Sequence, residues 1–195
     1  MHPQDKDTYK NVDFVTADWS DDYPGAEEAI PPDAPEPRGP EVVMTCYVDA
    51  DHAGCRVTRR SHSGIIIFVN NSPILWYSKR QNTVEASTFG SEFLALRIAV
   101  EMIEGLRYKL RMMGVRINGP CTVFCDSQAV VLNTTRLESQ LKKKHCAIAY
   151  HRVREAIAAG IIRIVKIDGT QNLADILTKP LPGPRLRELA RDILW

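Results

Sequence analysis

A chain of 195 residues with 44% apolar content can bury one substantial core, and its net charge of +1 conceals a split: residues 1–40 carry ten acids against three bases, residues 41–195 fourteen against twenty-two. No apolar run approaches the length of a membrane span, and Met1-His2-Pro3-Gln4-Asp5 does not read as a signal peptide. Five cysteines with no Cys-x-x-Cys spacing argue against a disulfide framework, so Cys46, Cys55, Cys121, Cys125 and Cys146 are expected as reduced thiols in an intracellular protein.

Residues 1–40 hold Pro31, Pro32, Pro35, Pro37 and Pro40 among several acids, the composition of a tail or linker. From Val42 the texture changes. Val42–Val48 is a nearly continuous apolar run, as in a central strand buried on both faces. Gly64–Val69 and Ile74–Ser78 read as two further strands, joined by the turn Asn70-Asn71-Ser72-Pro73 into an antiparallel meander. Ser87 or Thr88 caps a long helix running to about Met113, with Phe93, Leu96, Val100, Ile103 and Leu110 on one side. Cys121–Cys125 is a short buried strand, expected parallel to the first, and a short helix follows from Ser127. A helix over 146–159, a strand over Ile161–Ile167 and a short helix over Asn172–Thr178 come next. Leu186, Leu189, Ala190, Ile193 and Leu194 form the apolar stripe of a last helix. The expected fold class is α/β in the α+β sense, one mixed sheet with helices on its faces. The chain divides into a tail (1–40), a domain (41–182) and an amphipathic C-terminal helix (183–195).

Four acids stand out in that order. Asp49 and Asp126 each end an apolar strand, Glu92 lies in the first turn of the long helix, and Asp175 lies on the helix after the last strand. Asp49 and Asp126 are neighbours if their strands pair. Several carboxylates at one sheet edge suit Mg²⁺, which binds through a few carboxylates plus substrate phosphate, and two such ions can clamp a phosphodiester. Such a site requires acids that no nearby Lys or Arg neutralises. Each acid also has a plain structural reading: Glu92 favoured by the helix dipole, Asp126 as an N-cap, Asp175 as surface charge. Asp51 rivals Asp49, since i and i+2 share a strand face, but Asp49 directly ends the apolar run.

A set of motifs then becomes recognisable: Val48-Asp49-Ala50-Asp51-His52-Ala53-Gly54, Ser61-His62-Ser63-Gly64, Trp76-Tyr77-Ser78-Lys79-Arg80-Gln81, Ser91-Glu92-Phe93, Cys125-Asp126-Ser127-Gln128, Lys144-His145, Tyr150-His151 and Leu173-Ala174-Asp175-Ile176-Leu177-Thr178-Lys179-Pro180-Leu181-Pro182. In this order, from about residue 42 to 182, they resemble the ribonuclease H domain of copia-type LTR retrotransposon polyproteins. The resemblance implies a five-stranded mixed sheet flanked by helices, and an endonuclease that cuts the RNA strand of RNA–DNA hybrids during reverse transcription. It implies that Asp49, Glu92, Asp126 and Asp175 are catalytic and hold two Mg²⁺ ions, with Mn²⁺ as an alternative. It also implies a piece of a longer polyprotein or a gene fragment descended from one, a reverse-transcriptase domain of the same element as partner, and a place in the cytoplasm or in virus-like particles. Residues 168–174 contain no histidine, unlike the corresponding loop of many cellular members.

Gln128, with Ser127 before it, matches a family position that reads the minor groove of the hybrid, where 2′-hydroxyls mark RNA. Ser87 and Thr88 open the Glu92 helix, whose backbone N–H groups can meet phosphate. Lys79 and Arg80, at a strand end, are candidates for the DNA-strand path, with edge protection as their rival role. Lys142, Lys143 and Lys144 stand near a helix start, where phosphate would offset their charge. His145 and His151 read as structural. Two other classes compete with the nuclease: a catalytically idle module that binds nucleic acid or a polymerase, and an integrase or transposase of related fold, which typically uses three acids on DNA.

Overall fold

The computed structural model describes residues 18–137 and 146–194; the run Lys142–Lys144 and His145 lie outside them. Among the described residues, seven strands and five helices follow in chain order. They are β1 (Arg38–Val42), β2 (Met44–Asp51), β3 (His62–Val69), β4 (Ser72–Arg80), α1 (Thr88–Met112), β5 (Val115–Ile117), β6 (Cys121–Cys125), α2 (Gln128–Thr135), α3 (Ala147–Ala158), β7 (Ile162–Lys166), α4 (Asp175–Thr178) and α5 (Gly183–Leu194). A 3₁₀ turn (Gly169–Gln171) precedes α4.

The principal sheet has the order β4-β3-β2-β6-β7. β2, β3 and β4 form the antiparallel meander, and β6 pairs parallel with both β2 and β7. The alternation of side chains along β2 makes two cores. Cys46, Val48 and Ala50 face α1, where Phe93, Leu96, Val100 and Ile103 meet Ile65, Ile67, Val123 and Val153. Tyr47 faces the other way, with Ile66, Phe68, Phe124, Val165, Leu173 and Leu189 under α5. The sheet is therefore covered on both sides, which explains why its central strands carry apolar runs rather than strict alternation. Cys46, Cys121, Cys125 and Cys146 are buried thiols and Cys55 is partly exposed, with no disulfide joining any two of them. No helix among the described residues is long and apolar enough to cross a membrane.

Two features depart from the sequence reading. Over its described part, the expected tail is packed on the body. Trp19 is buried beneath the guanidinium of Arg154, 4.6 Å from the ring centre. The Tyr23 hydroxyl meets His151 Nδ1 at 2.8 Å, and Glu28 is gripped by Arg107 and Arg111. The aromatic rings and the Arg–carboxylate fork supply the burial that the Pro-rich composition alone lacks. The second departure is β1, which pairs in parallel with β5 in a small ribbon outside the main sheet. Both strands are short; β1 is largely exposed, and β5 is too brief for its two half-buried apolar residues, Val115 and Ile117, to stand out.

Candidate active site

β2 and β6 lie side by side, with Val48 opposite Cys125, so the residues that follow them emerge together. Asp49 is on the α4 face of β2, and Asp126 is the first residue beyond β6. Asp175 opens α4. Oxygens of Asp49, Asp126 and Asp175 lie within 4.8 Å of one another, with Asp49 and Asp175 buried and Asp126 half-buried. Glu92 belongs to α1, in its second turn rather than the expected first, and lies outside that tight group. It is still close enough to feel it: burial pushes its carboxyl above the usual range, the Ser127 side chain offsets this, and Asp126 and Asp49 add to the rise. Asp51 is not in the group. Its side chain folds back over Gly54, occupying the space a Cβ there would need.

α4 is one turn long, and three contacts set its position. Gly64 stands opposite Asp49 on β3; a Cβ there would lie 2.6 Å from Thr178 Cγ2 and 2.8 Å from the Ala174 carbonyl. The fully buried Asn172 donates from Nδ2 to the Val48 carbonyl (3.0 Å) and accepts from the Ala174 N–H (3.1 Å). One amide thus ties the residue before Asp49 to the residue before Asp175. The Ser78 hydroxyl donates to the Leu177 carbonyl at 2.7 Å. On the opposite side, Gln81 Nε2 donates to Ser63 Oγ (2.9 Å) and to the Ser91 carbonyl (2.8 Å), which anchors the start of α1 and so places Glu92. These supporting residues lie within or beside the quoted motifs, but no local pattern marks what they touch.

Electrostatics inside the group are not those expected. The sequence predicts a site free of neutralising cations, yet Lys179 Nζ lies 2.8 Å from Asp175 Oδ1 and 3.9 Å from Asp49 Oδ2. The cause is chain geometry: Lys179 caps the one-turn helix that begins with Asp175, so its side chain returns over the same end. Partial burial works against its charge, but the hydrogen bond to Asp175 and the nearby carboxylates raise its affinity for a proton. The Thr178 hydroxyl donates to Asp49 Oδ2. Burial still dominates at Asp49 and pushes its carboxyl up to about 6; Thr178 and Lys179 pull it down, while Asp175 and Asp126 push it further up.

The other sequence candidates fall around this centre. Ser87 is the N-cap of α1, accepting from the Gly90 N–H at 3.2 Å, with Thr88 exposed beside it. Ser127 caps α2 in the same way, accepting from the Val130 N–H at 3.5 Å, and Gln128 is exposed in the first turn. Lys79 and Arg80 are exposed at the end of the edge strand β4.

No family model matches the chain. Among curated proteins, it is 29% identical over 156 residues to the retrovirus-related Pol polyprotein from transposon RE1 of Arabidopsis thaliana, covering 80% of this chain and 11% of that polyprotein. Transposon RE2 of the same plant gives 28% with the same coverage, and transposon TNT 1-94 of Nicotiana tabacum 29%, covering 80% of this chain and 12% of the polyprotein. The chain thus spans about a tenth of the length of these relatives. Among solved structures, the N-terminal RNase H domain of a Mycobacterium tuberculosis protein superposes with a TM-score of 0.53 at 15% identity, covering 77% of this chain and 98% of that one. RNase H1 from Halobacterium salinarum gives 0.53 at 17%, covering 69% and 93%. LC11-RNase H1, solved in complex with an RNA/DNA hybrid, gives 0.53 at 18% with the same coverage. The chain is a ribonuclease H-fold domain related to the Pol polyproteins of copia-type retrotransposons.

Proposed function

We propose that this chain is a divalent-metal-dependent nuclease that hydrolyses the RNA strand of RNA–DNA hybrids. The observation that carries the reading is the convergence of Asp49, Asp126 and Asp175 from three separate elements to within 4.8 Å, with Glu92 beside them. Burial raises the Asp49 and Glu92 carboxyls above their usual range, a cost that a hard cation relieves, so this donor set fits such ions. On this reading Asp49, Glu92, Asp126 and Asp175 hold two Mg²⁺, with Mn²⁺ as an alternative. Bound there, the ions supply Lewis acidity toward the phosphoryl oxygens and a nucleophile at neutral pH.

The chain's own groups orient that centre. Thr178 fixes one Asp49 oxygen, and Asn172 holds the β2 and α4 ends in register. Gln128 in the first turn of α2 and Ser127 at its cap face the minor groove, where a 2′-hydroxyl identifies the RNA strand. Ser87 and Thr88 meet backbone phosphate at the α1 start, and Lys79, Arg80 and the Lys142–Lys144 run carry the complementary charge. The hybrid bound by one structural neighbour and the Pol identity of the sequence relatives support the substrate class. They also support a reverse-transcriptase domain of the same element as partner, in the cytoplasm or in virus-like particles.

A second reading has its own observation. An ammonium already paired with Asp175 is what an idle nucleic-acid-binding module would show. A 5′-labelled RNA strand annealed to DNA separates the two. The nuclease cuts it with Mg²⁺, leaves duplex DNA intact, and loses cutting to background in a folded Asp126→Asn variant. Hybrid binding without Mg²⁺-dependent cutting selects the module, and undiminished activity of Asp126→Asn removes the proposed centre.

A further inference from the structure

Lys179 is the one Lys or Arg among the described residues paired with the acids of the centre, and its placement is built into the backbone. Its N–H bonds to the Asp175 carbonyl at 3.3 Å, closing α4. The residue after it is Pro180, which confines Lys179 to extended backbone, and its φ of −143° and ψ of 152° are there. The stem therefore leaves α4 in a fixed direction, with Nζ 2.8 Å from Asp175 Oδ1 and 3.9 Å from Asp49 Oδ2. Those two carboxylates face the same space, and an ion touching both competes with the ammonium for their oxygens. The Lys179 side chain is 41% exposed, so it can withdraw to water without crossing packed structure.

We propose that Lys179 is a resident counter-ion of the acid centre. In the metal-free protein its ammonium holds Asp49 and Asp175 together against their mutual repulsion. A divalent cation displaces it to solvent, so metal affinity is set by competition with a residue of the chain itself. The inference rests on the metal-centre reading given above. It differs from an idle site, in which the ammonium is permanent, and from a phosphate-binding lysine, in which the ammonium serves substrate and not the acids.

Calorimetric titration of the purified full chain with Mn²⁺, at low ionic strength and pH 7.5, tests it with Lys179→Met, Lys179→Gln and Asp49→Asn alongside. Removing a unit charge a few ångströms from the ion tightens binding by about tenfold or more in both Lys179 variants, and their metal-free melting temperatures fall. In the unmodified chain, the ¹⁵Nζ and ¹³Cε resonances of Lys179 move to solvent-like values as Mg²⁺ is added, a readout that needs no variant to fold. Unchanged or weaker Mn²⁺ binding in folded Lys179 variants, or Lys179 resonances that stay put at Mg²⁺ saturation, overturns the proposal. If the unmodified chain then binds Mn²⁺ and Asp49→Asn does not, the metal centre stands and the counter-ion alone fails. No binding by any form overturns both. Variants with unaltered metal affinity but weakened binding of a hybrid overturn it in favour of a phosphate contact.

Discussion

Asp49 concentrates the conflict between folding and chemistry. Its carboxyl is raised to about 6, chiefly because burial penalises the charge, and an unfolded aspartate sits near 4. A group held above its unfolded value binds its proton more tightly in the folded state. Native stability is therefore lost as pH rises from about 4 to about 6 and is not regained above that. In the metal-free protein, Asp49→Asn is expected to be the more stable form at pH 7, on the order of 1–3 kcal/mol, with the gap closing near pH 4. Urea melts at the two pH values measure this; a less stable variant at pH 7 would mean that Thr178 and Lys179 outweigh burial. At this scale the sequence was readable where an acid ends an apolar run, as for Asp49 and Asp126. It left Asp51 open because i and i+2 share a strand face, and only the turn at Gly54 takes Asp51 away. Lys179 was silent because its role depends on where a one-turn helix points.

A helix of four residues cannot stabilise itself, so α4 owes its place to what it is pressed against. Gly64 allows that approach. A methyl group there meets not only the end of Thr178 but also the Ala174 carbonyl, which is backbone and cannot rotate away. Gly64→Ala is expected to cost about 1–3 kcal/mol of stability. It should weaken Mn²⁺ binding well beyond that loss, because Asp175 moves with α4. Denaturant melts and metal titration on the same preparation check the pair of effects; normal metal binding would show that α4 tolerates the shift. The main elements were legible for a related reason. β2, β3 and β6 are buried on both faces and so announce themselves as apolar runs, and α1 carries both periodicity and its Ser87 cap. β1 and β5 escaped because a ribbon of only five and three residues is held by pairing across the chain rather than by its own composition. Gly39 and Pro40 inside β1 point, by every local rule, away from a strand.

At the scale of the molecule, the acidic N-terminal segment contributes the carboxylate of a largely buried three-charge cluster. The Glu28 carboxylate takes both the nearly inaccessible Arg107 and Arg111. Burial works against its charge, but the two guanidiniums win and hold it down at about 2. The sign is opposite to that of Asp49: this contribution is present above the ordinary glutamate range and lost as pH falls toward 2. Glu28→Ala leaves Arg107 buried without its counter-charge and is expected to destabilise the protein by about 3–5 kcal/mol at pH 7, with a smaller difference near pH 2. Thermal melts decide it; a shift within error at pH 7 would mean that the segment is not part of the folded unit. Composition could not disclose this, because a glutamate in a Pro-rich stretch looks the same whether or not two arginines some eighty positions away close on it.

The strand order has one more consequence. From β2 the polypeptide travels outward through β3 to the β4 edge, and from β6 it travels the opposite way to β7. The two connections part company at the very ends that carry Asp49 and Asp126. Such a reversal point is where open sheets of this kind receive their ligands. On the proposed function, a long, stiff polyanion would lie across these strand ends, where both carboxylates emerge.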